Sequence, residues 1–168
     1  MSRTNPRKRK PRQAWETARI VVEGYTEDAF CSYLKSLFAK DCGVQASIQN
    51  VKGGSPLDVV RTALKPREYN RTFIVYDTDV ALPKTWAAKA KNAKLIAIPS
   101  SPCIEALFLE LLKKPVPPDT QGCKKAFAKV LDDKAKCLWK SYAKIFPKEL
   151  LAESDHPSIV LLRSVFKL

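Results

Sequence analysis

Short apolar runs alternate along most of this chain with longer stretches whose apolar residues recur at helical spacing. Arg19-Ile20-Val21-Val22 and Thr72-Phe73-Ile74-Val75-Tyr76 are the clearest runs, rich in the β-branched and aromatic residues that suit strands. Together with two weaker runs they predict strands at 19–23, about 44–51, 72–76 and 94–98. Near-continuous apolar character means burial on both faces, as in a parallel sheet. Helices are predicted at about 27–40, 56–65, 84–92 and 103–113. Strands separated by helices form βαβ units, so the expected fold is α/β, with a doubly wound, mostly parallel four-stranded sheet. Two helix starts are marked: Thr26 as an N-cap before Glu27 and Asp28, and Ser101 as an N-cap before Pro102.

Beyond Lys113 the pattern changes. Lys114-Pro115-Val116-Pro117-Pro118-Asp119-Thr120 reads as a rigid connector, followed by lysine-rich helical stretches at about 121–132, 134–145 and 157–166. The expected organisation is a disordered basic arm at 1–17, a sheet domain at 18–113, and a helical C-terminal appendage at 114–168 packed on that domain. The appendage is expected to display Lys124, Lys125, Lys129, Lys134, Lys136, Lys140 and Lys144 to solvent or to a polyanion. The arm carries Arg7, Lys8, Arg9, Lys10 and Arg12, candidate nucleic-acid-binding residues.

Charge sharpens that expectation. Thirty Lys and Arg against 17 Asp and Glu give a net +13 over 168 residues, which favours a polyanionic partner. No stretch approaches a spanning helix and no apolar segment follows the basic start, so an intracellular, cytoplasmic location with no membrane partner is expected. Cys31, Cys42, Cys103, Cys123 and Cys137 form no Cys-x-x-Cys pair and read as buried reduced thiols. His156, the one histidine, has no second histidine with which to build zinc or triad chemistry.

Both clear strands end in acid, the first at Glu23-Gly24 and the second at Asp77-Thr78-Asp79. If the strands are parallel neighbours, Glu23, Asp77 and Asp79 gather at the carboxyl edge, where open α/β sheets bind ligands. Carboxylates brought together repel unless a cation sits among them, and hard oxygen ligands select Mg²⁺ or Mn²⁺. Taken singly, each acid also fits a turn or a helix start. Lys52, in Lys52-Gly53-Gly54-Ser55-Pro56, falls at the same edge, where it can meet a phosphate. That segment lacks the Gly-Lys-Ser/Thr ending of a phosphate loop.

Val21-Val22-Glu23-Gly24-Tyr25-Thr26-Glu27, followed by Val75-Tyr76-Asp77-Thr78-Asp79, resembles the Toprim fold of primases, topoisomerases and several nucleases. In that family a glutamate after the first strand and an Asp-x-Asp after a later one bind divalent metal. Pro99-Ser100-Ser101-Pro102-Cys103-Ile104-Glu105-Ala106-Leu107-Phe108-Leu109 resembles a block of RloB-like proteins, relatives of the OLD-type Toprim nucleases, and adds Glu105 as a candidate. The resemblance implies a Mg²⁺- or Mn²⁺-dependent nuclease acting on DNA or RNA, transfer RNA included. It also implies roles in phage defence or counter-defence, and an ATPase partner needed by a lone small Toprim subunit before it cuts. Glu23, Asp77 and Asp79 would hold the metal, and Glu27 or Glu105 a second ion or its water. Two rivals stand beside this: a non-catalytic nucleic-acid- or partner-binding module of the same fold, and a haloacid-dehalogenase-like phosphatase with Asp77 as nucleophile.

Overall fold

The computed structural model describes residues 15–40 and 42–168, so the arm residues Arg7, Lys8, Arg9, Lys10 and Arg12 lie outside the described residues. The chain runs β1 (Glu16–Val22), α1 (Tyr25–Phe38), β2 (Val44–Asn50), α2 (Pro56–Ala63), β3 (Arg71–Asp77), α3 (Lys84–Asn92), β4 (Ile96–Ser100) and α4 (Ile104–Leu111). Then follow α5 (Thr120–Ala128), 3₁₀ turns at Ala135–Cys137 and Trp139–Lys144, α6 (Lys148–Glu153) and α7 (Pro157–Ser164). The four strands form one sheet in the order β2-β1-β3-β4, and every neighbouring pair is parallel. The expected α/β, doubly wound architecture is therefore present, consistent with a Toprim-like fold.

Successive strand residues point to opposite faces, and the apolar runs serve both. Ile20, Val22, Phe73, Val75 and Ile98 join a core with Phe30 and Leu34 of α1 and Phe108 of α4. Val21 and Ile74 face the other way, against Val59 and Val60 of α2 and Ala90 of α3. Pro99 lies within β4, which tolerates it because β4 is an edge strand.

The C-terminal segment contributes to the first of these cores. Phe108 packs at ring-centroid distances of 4.8 Å from Phe30, 4.9 Å from Phe127, and 5.5 Å from both Tyr142 and Phe146. Burying an aromatic side chain contributes about 1.5–3 kcal/mol, so these contacts bind the segment to the sheet unit. Arg71, at the start of β3, also donates to the carbonyls of Ser164 and Val165 at 2.7 and 3.0 Å, holding the C-terminal end of α7.

Several expected details differ. The cap of α1 is Gly24, with Thr26 already inside the helix. The cap of α4 is Cys103 rather than Ser101, because the Pro102 carbonyl accepts the N–H groups of Thr78 and Asp79, at 3.1 and 3.2 Å. Those bonds tie 101–103 to the end of β3 and delay the helix. The expected helix at 134–145 is two 3₁₀ turns, and α6 falls where no helix is predicted. Cys31, Cys103 and Cys123 are buried free thiols, Cys42 is half-buried and Cys137 is exposed. Among the described residues, no helix is long and apolar enough to cross a membrane.

Candidate metal centre

The chain passes from β1 to β2 on one side of the sheet and from β3 to β4 on the other, so the strand order reverses between β1 and β3. A crevice opens at the carboxyl ends of strands at such a switch point. Val22 is level with Val75 in the register, which places Glu23, one residue past β1, beside the last two residues of β3. Here the two strands are tied chemically: the Glu23 carboxylate accepts the Asp77 backbone N–H at 3.1 Å. The turn after β2 adds a second tie, with Gly53 N–H donating to the Glu23 carbonyl at 2.9 Å. Gly53 has φ +82°, a conformation that favours glycine, and Lys52 before it also takes a left-handed φ of 63°.

The structure brings four of the expected acids around one cavity of about 250 Å³: Glu23, Glu27, Asp77 and Glu105, with Gly24, Gly53, Lys124 and Lys136 also in its wall. Glu27 is the third residue of α1, and its carboxylate turns back toward the backbone N–H groups of Gly24 and of Glu27 itself. A Cβ on residue 24 would stand 3.0 Å from a Glu27 carboxylate oxygen, so the glycine makes room for this fold-back. Glu27 thus starts the helix and lines the cavity at once. Asp77 Oδ1 accepts the Ile104 backbone N–H at 3.0 Å, capping α4 from the end of β3. Glu105 follows in the first turn of that helix and is 2% exposed. Its Oε1 faces the Lys136 ammonium at 3.4 Å, and its Oε2 is buried with no hydrogen-bond partner.

Crowding of buried acids alters their proton affinity. Burial pushes the Asp77 carboxyl up to about 8, reinforced by Glu27, Glu105 and Glu23 and partly offset by Lys124. Burial likewise raises Glu27 to about 7, with backbone N–H groups opposing and Glu105 and Glu23 adding to the rise. Glu23 moves upward from burial too, against the hydrogen bond from Asp77. These acids fit a divalent cation on physical grounds: a cation would relieve their mutual repulsion and give the orphaned Glu105 oxygen a partner.

The remaining candidates lie differently. Asp79 is exposed at the rim, close enough to Glu23 to raise its proton affinity, and its backbone N–H is spent on the Pro102 carbonyl. Lys52 is exposed, and the cavity wall is formed by its neighbour Gly53. Lys136 is turned inward to Glu105 and Asp133, its side chain 12% exposed, where display to solvent was expected. Lys124, Lys125, Lys129, Lys134, Lys140 and Lys144 are exposed, and Lys124 also reaches the cavity. His156 caps α7, its Nδ1 accepting the Ser158 N–H at 3.2 Å, and its Nε2 sits 2.8 Å from Glu110, away from the acids. Two residues that matter here, Cys103 and Lys136, carry no distinguishing signal in the sequence: one hides in an apolar helix start, the other among many lysines. No family model matches the chain, and no curated protein and no solved structure matches it.

Proposed function

We propose that this protein is a Mg²⁺- or Mn²⁺-dependent nuclease that cuts phosphodiester bonds in DNA or RNA. The observation that carries the proposal is the convergence of Glu23, Glu27, Asp77 and Glu105 on one cavity at the switch point of the sheet, with Lys124 and Lys136 in the same wall. The order of these acids along the chain, and their resemblance to the Toprim pattern, support it further.

Glu23, Asp77 and Glu27 would hold the metal, with Asp79 reaching in from the rim. When bound, the metal would supply Lewis-acid polarisation of the phosphodiester and activation of water. The protein residues divide the remaining work. Asp77 is fixed by the Ile104 N–H, and Glu23 by the Asp77 N–H, so both carboxylates are oriented before substrate arrives. Lys124 stands where a phosphate entering the cavity would meet a positive charge. A net charge of +13 supplies sequence-independent attraction to the nucleic-acid backbone. A phosphatase using Asp77 as nucleophile fits less well, since Asp77 shares the cavity with three further acids that such chemistry leaves idle.

The test is direct. Purified protein is incubated with Mg²⁺ or Mn²⁺ and separate pools of plasmid, single-stranded DNA and transfer RNA. Metal-dependent cleavage of one pool, lost in Asp77→Asn, is the expected result. Intact substrates in every pool, with nucleic acid still bound, would favour the non-catalytic binding module.

A further inference from the structure

We infer that Asp77, Cys103 and Glu105 form a binding site for a thiophilic divalent cation, Zn²⁺ first among them, in the inner wall of the acidic cavity. The Cys103 sulfur and one carboxylate oxygen each from Asp77 and Glu105 lie within 4.8 Å of one another, and all three residues are buried. Each has a donor to spare. Asp77 uses Oδ1 on the Ile104 N–H, leaving its second oxygen for another partner. Glu105 gives Oε1 to Lys136, and its buried Oε2 has no partner at all. The Cys103 thiol makes a long contact, 4.0 Å, to the Thr120 carbonyl.

A buried carboxylate oxygen without a partner is costly, and here a sulfur and a second carboxylate lie close by. Hard ions such as Mg²⁺ make no use of that sulfur. Zn²⁺ takes thiolate at about 2.3 Å and carboxylate at about 2.0–2.2 Å in one tetrahedral set. The three donors sit on the end of β3 and the first turn of α4, elements already locked together by the Asp77–Ile104 bond, so little ordering is left for the metal to impose. Cys123, buried beside Cys103, keeps its own thiol on the Pro117 carbonyl at 3.2 Å, so Cys103 is the thiolate this site offers. Binding breaks the Cys103 S–H bond, forms a metal–sulfur bond and releases that proton to solvent, together with any proton held by the Asp77 carboxyl.

This inference deepens the proposed function, because Zn²⁺ would take an Asp77 oxygen that the Mg²⁺ site also needs and so inhibit cleavage. Its binding part stands without that reading. The test uses the full chain, reduced with a phosphine and stripped of metal, titrated with Cd²⁺ while the thiolate-to-cadmium charge-transfer absorption is followed. Zn²⁺ affinity is then measured by competition. One equivalent of Cd²⁺ should raise the band, and Cys42→Ser/Cys137→Ser should keep it. Cys103→Ser should abolish it, while Glu105→Gln and Asp77→Asn, which leave the thiol in place, should each weaken Zn²⁺ binding about 10–100-fold. A band that survives Cys103→Ser, or Zn²⁺ affinity unchanged in both carboxyl variants, would overturn the site. Cleavage with Mg²⁺ but no cadmium band would remove this site alone. A band without cleavage of any substrate would remove the nuclease and leave the zinc site standing.

Discussion

Asp77 and Ile104 are joined by a 3.0 Å hydrogen bond from the Ile104 backbone N–H to the Asp77 carboxylate, so the last residue of β3 caps the helix that carries Glu105. One side chain therefore serves the fold and the candidate site together. The two roles separate by substitution. Asp77→Asn keeps an oxygen for the Ile104 N–H and removes a carboxyl that must ionise among other acids to hold a metal. Its midpoint of thermal unfolding should equal or exceed the wild type, while metal-dependent cleavage is lost. Asp77→Ala should lose the cap as well and cost about 1 kcal/mol of stability, the usual value of a helix cap. Full activity in Asp77→Asn would remove the aspartate from the metal site.

Stability of the metal-free protein should depend on pH in a defined direction. Asp77 has an ordinary value of 3.8 raised to about 8, and Glu27 one of 4.5 raised to about 7. Both bind their protons more tightly folded than unfolded, so the stabilisation is complete below about pH 4 and is lost as pH rises through 7 and 8. Each tenfold gain in proton affinity on folding is worth about 1.4 kcal/mol, so the unfolding midpoint in EDTA should fall by at least about 3 °C between pH 5 and pH 8.5. Asp77→Asn should flatten this fall, and saturating Mg²⁺ should reduce it. A midpoint that holds level in EDTA would mean that water reaches these carboxyls freely.

The strands were legible because a parallel sheet buried on both faces writes itself as apolar runs such as Ile20 to Val22 and Phe73 to Val75. Glu23 and Asp77 followed from where those runs stop. Asp79 was harder to place: the Asp-x-Asp spacing suggests two acids side by side on a continuing strand. The chain leaves the strand at Asp77 instead, when Thr78 and Asp79 turn their N–H groups to the Pro102 carbonyl. Lys136 could not be singled out from its neighbours, since what draws it inward is Glu105, 31 residues away, and no local pattern encodes that approach. The 3₁₀ turns at 135–144 escaped for a similar reason. Their shape is set by the burial of Tyr142 against Phe30 and Phe108, a tertiary effect that overrides helical propensity.

Tyr142 links the C-terminal segment to the candidate site. Its ring is fully buried and its hydroxyl donates to the Lys136 carbonyl at 2.8 Å. Tyr142→Ala should cost about 3–5 kcal/mol through loss of core packing, read from denaturant unfolding. Tyr142→Phe keeps the ring and loses only the hydrogen bond, so its cost should be about 1 kcal/mol. If Tyr142→Phe leaves stability unchanged while altering metal affinity, the hydroxyl serves to place Lys136 and not to hold the fold.

Lys136 is the cation that Glu105 faces across the inner wall of the cavity. Its ammonium lies 2.8 Å from Asp133, which is largely exposed, and 3.4 Å from Glu105, whose side chain is 3% exposed. The exposed contact contributes little, because surface pairs are screened by solvent. Removing the ammonium with Lys136→Met leaves the Glu105 carboxylate buried with neither oxygen paired, a loss of about 3–5 kcal/mol by the behaviour of broken buried pairs. Glu105→Gln should be milder, and the double variant Lys136→Met/Glu105→Gln should recover most of the single-variant loss, since no uncompensated charge remains. Mg²⁺ should also raise the unfolding midpoint of Lys136→Met more than that of the wild type, because the ion takes over a charge the lysine no longer supplies. Additive losses in the double variant, together with an equal response to Mg²⁺, would show that Lys136 is anchored by Asp133 and leaves the electrostatics of the cavity untouched.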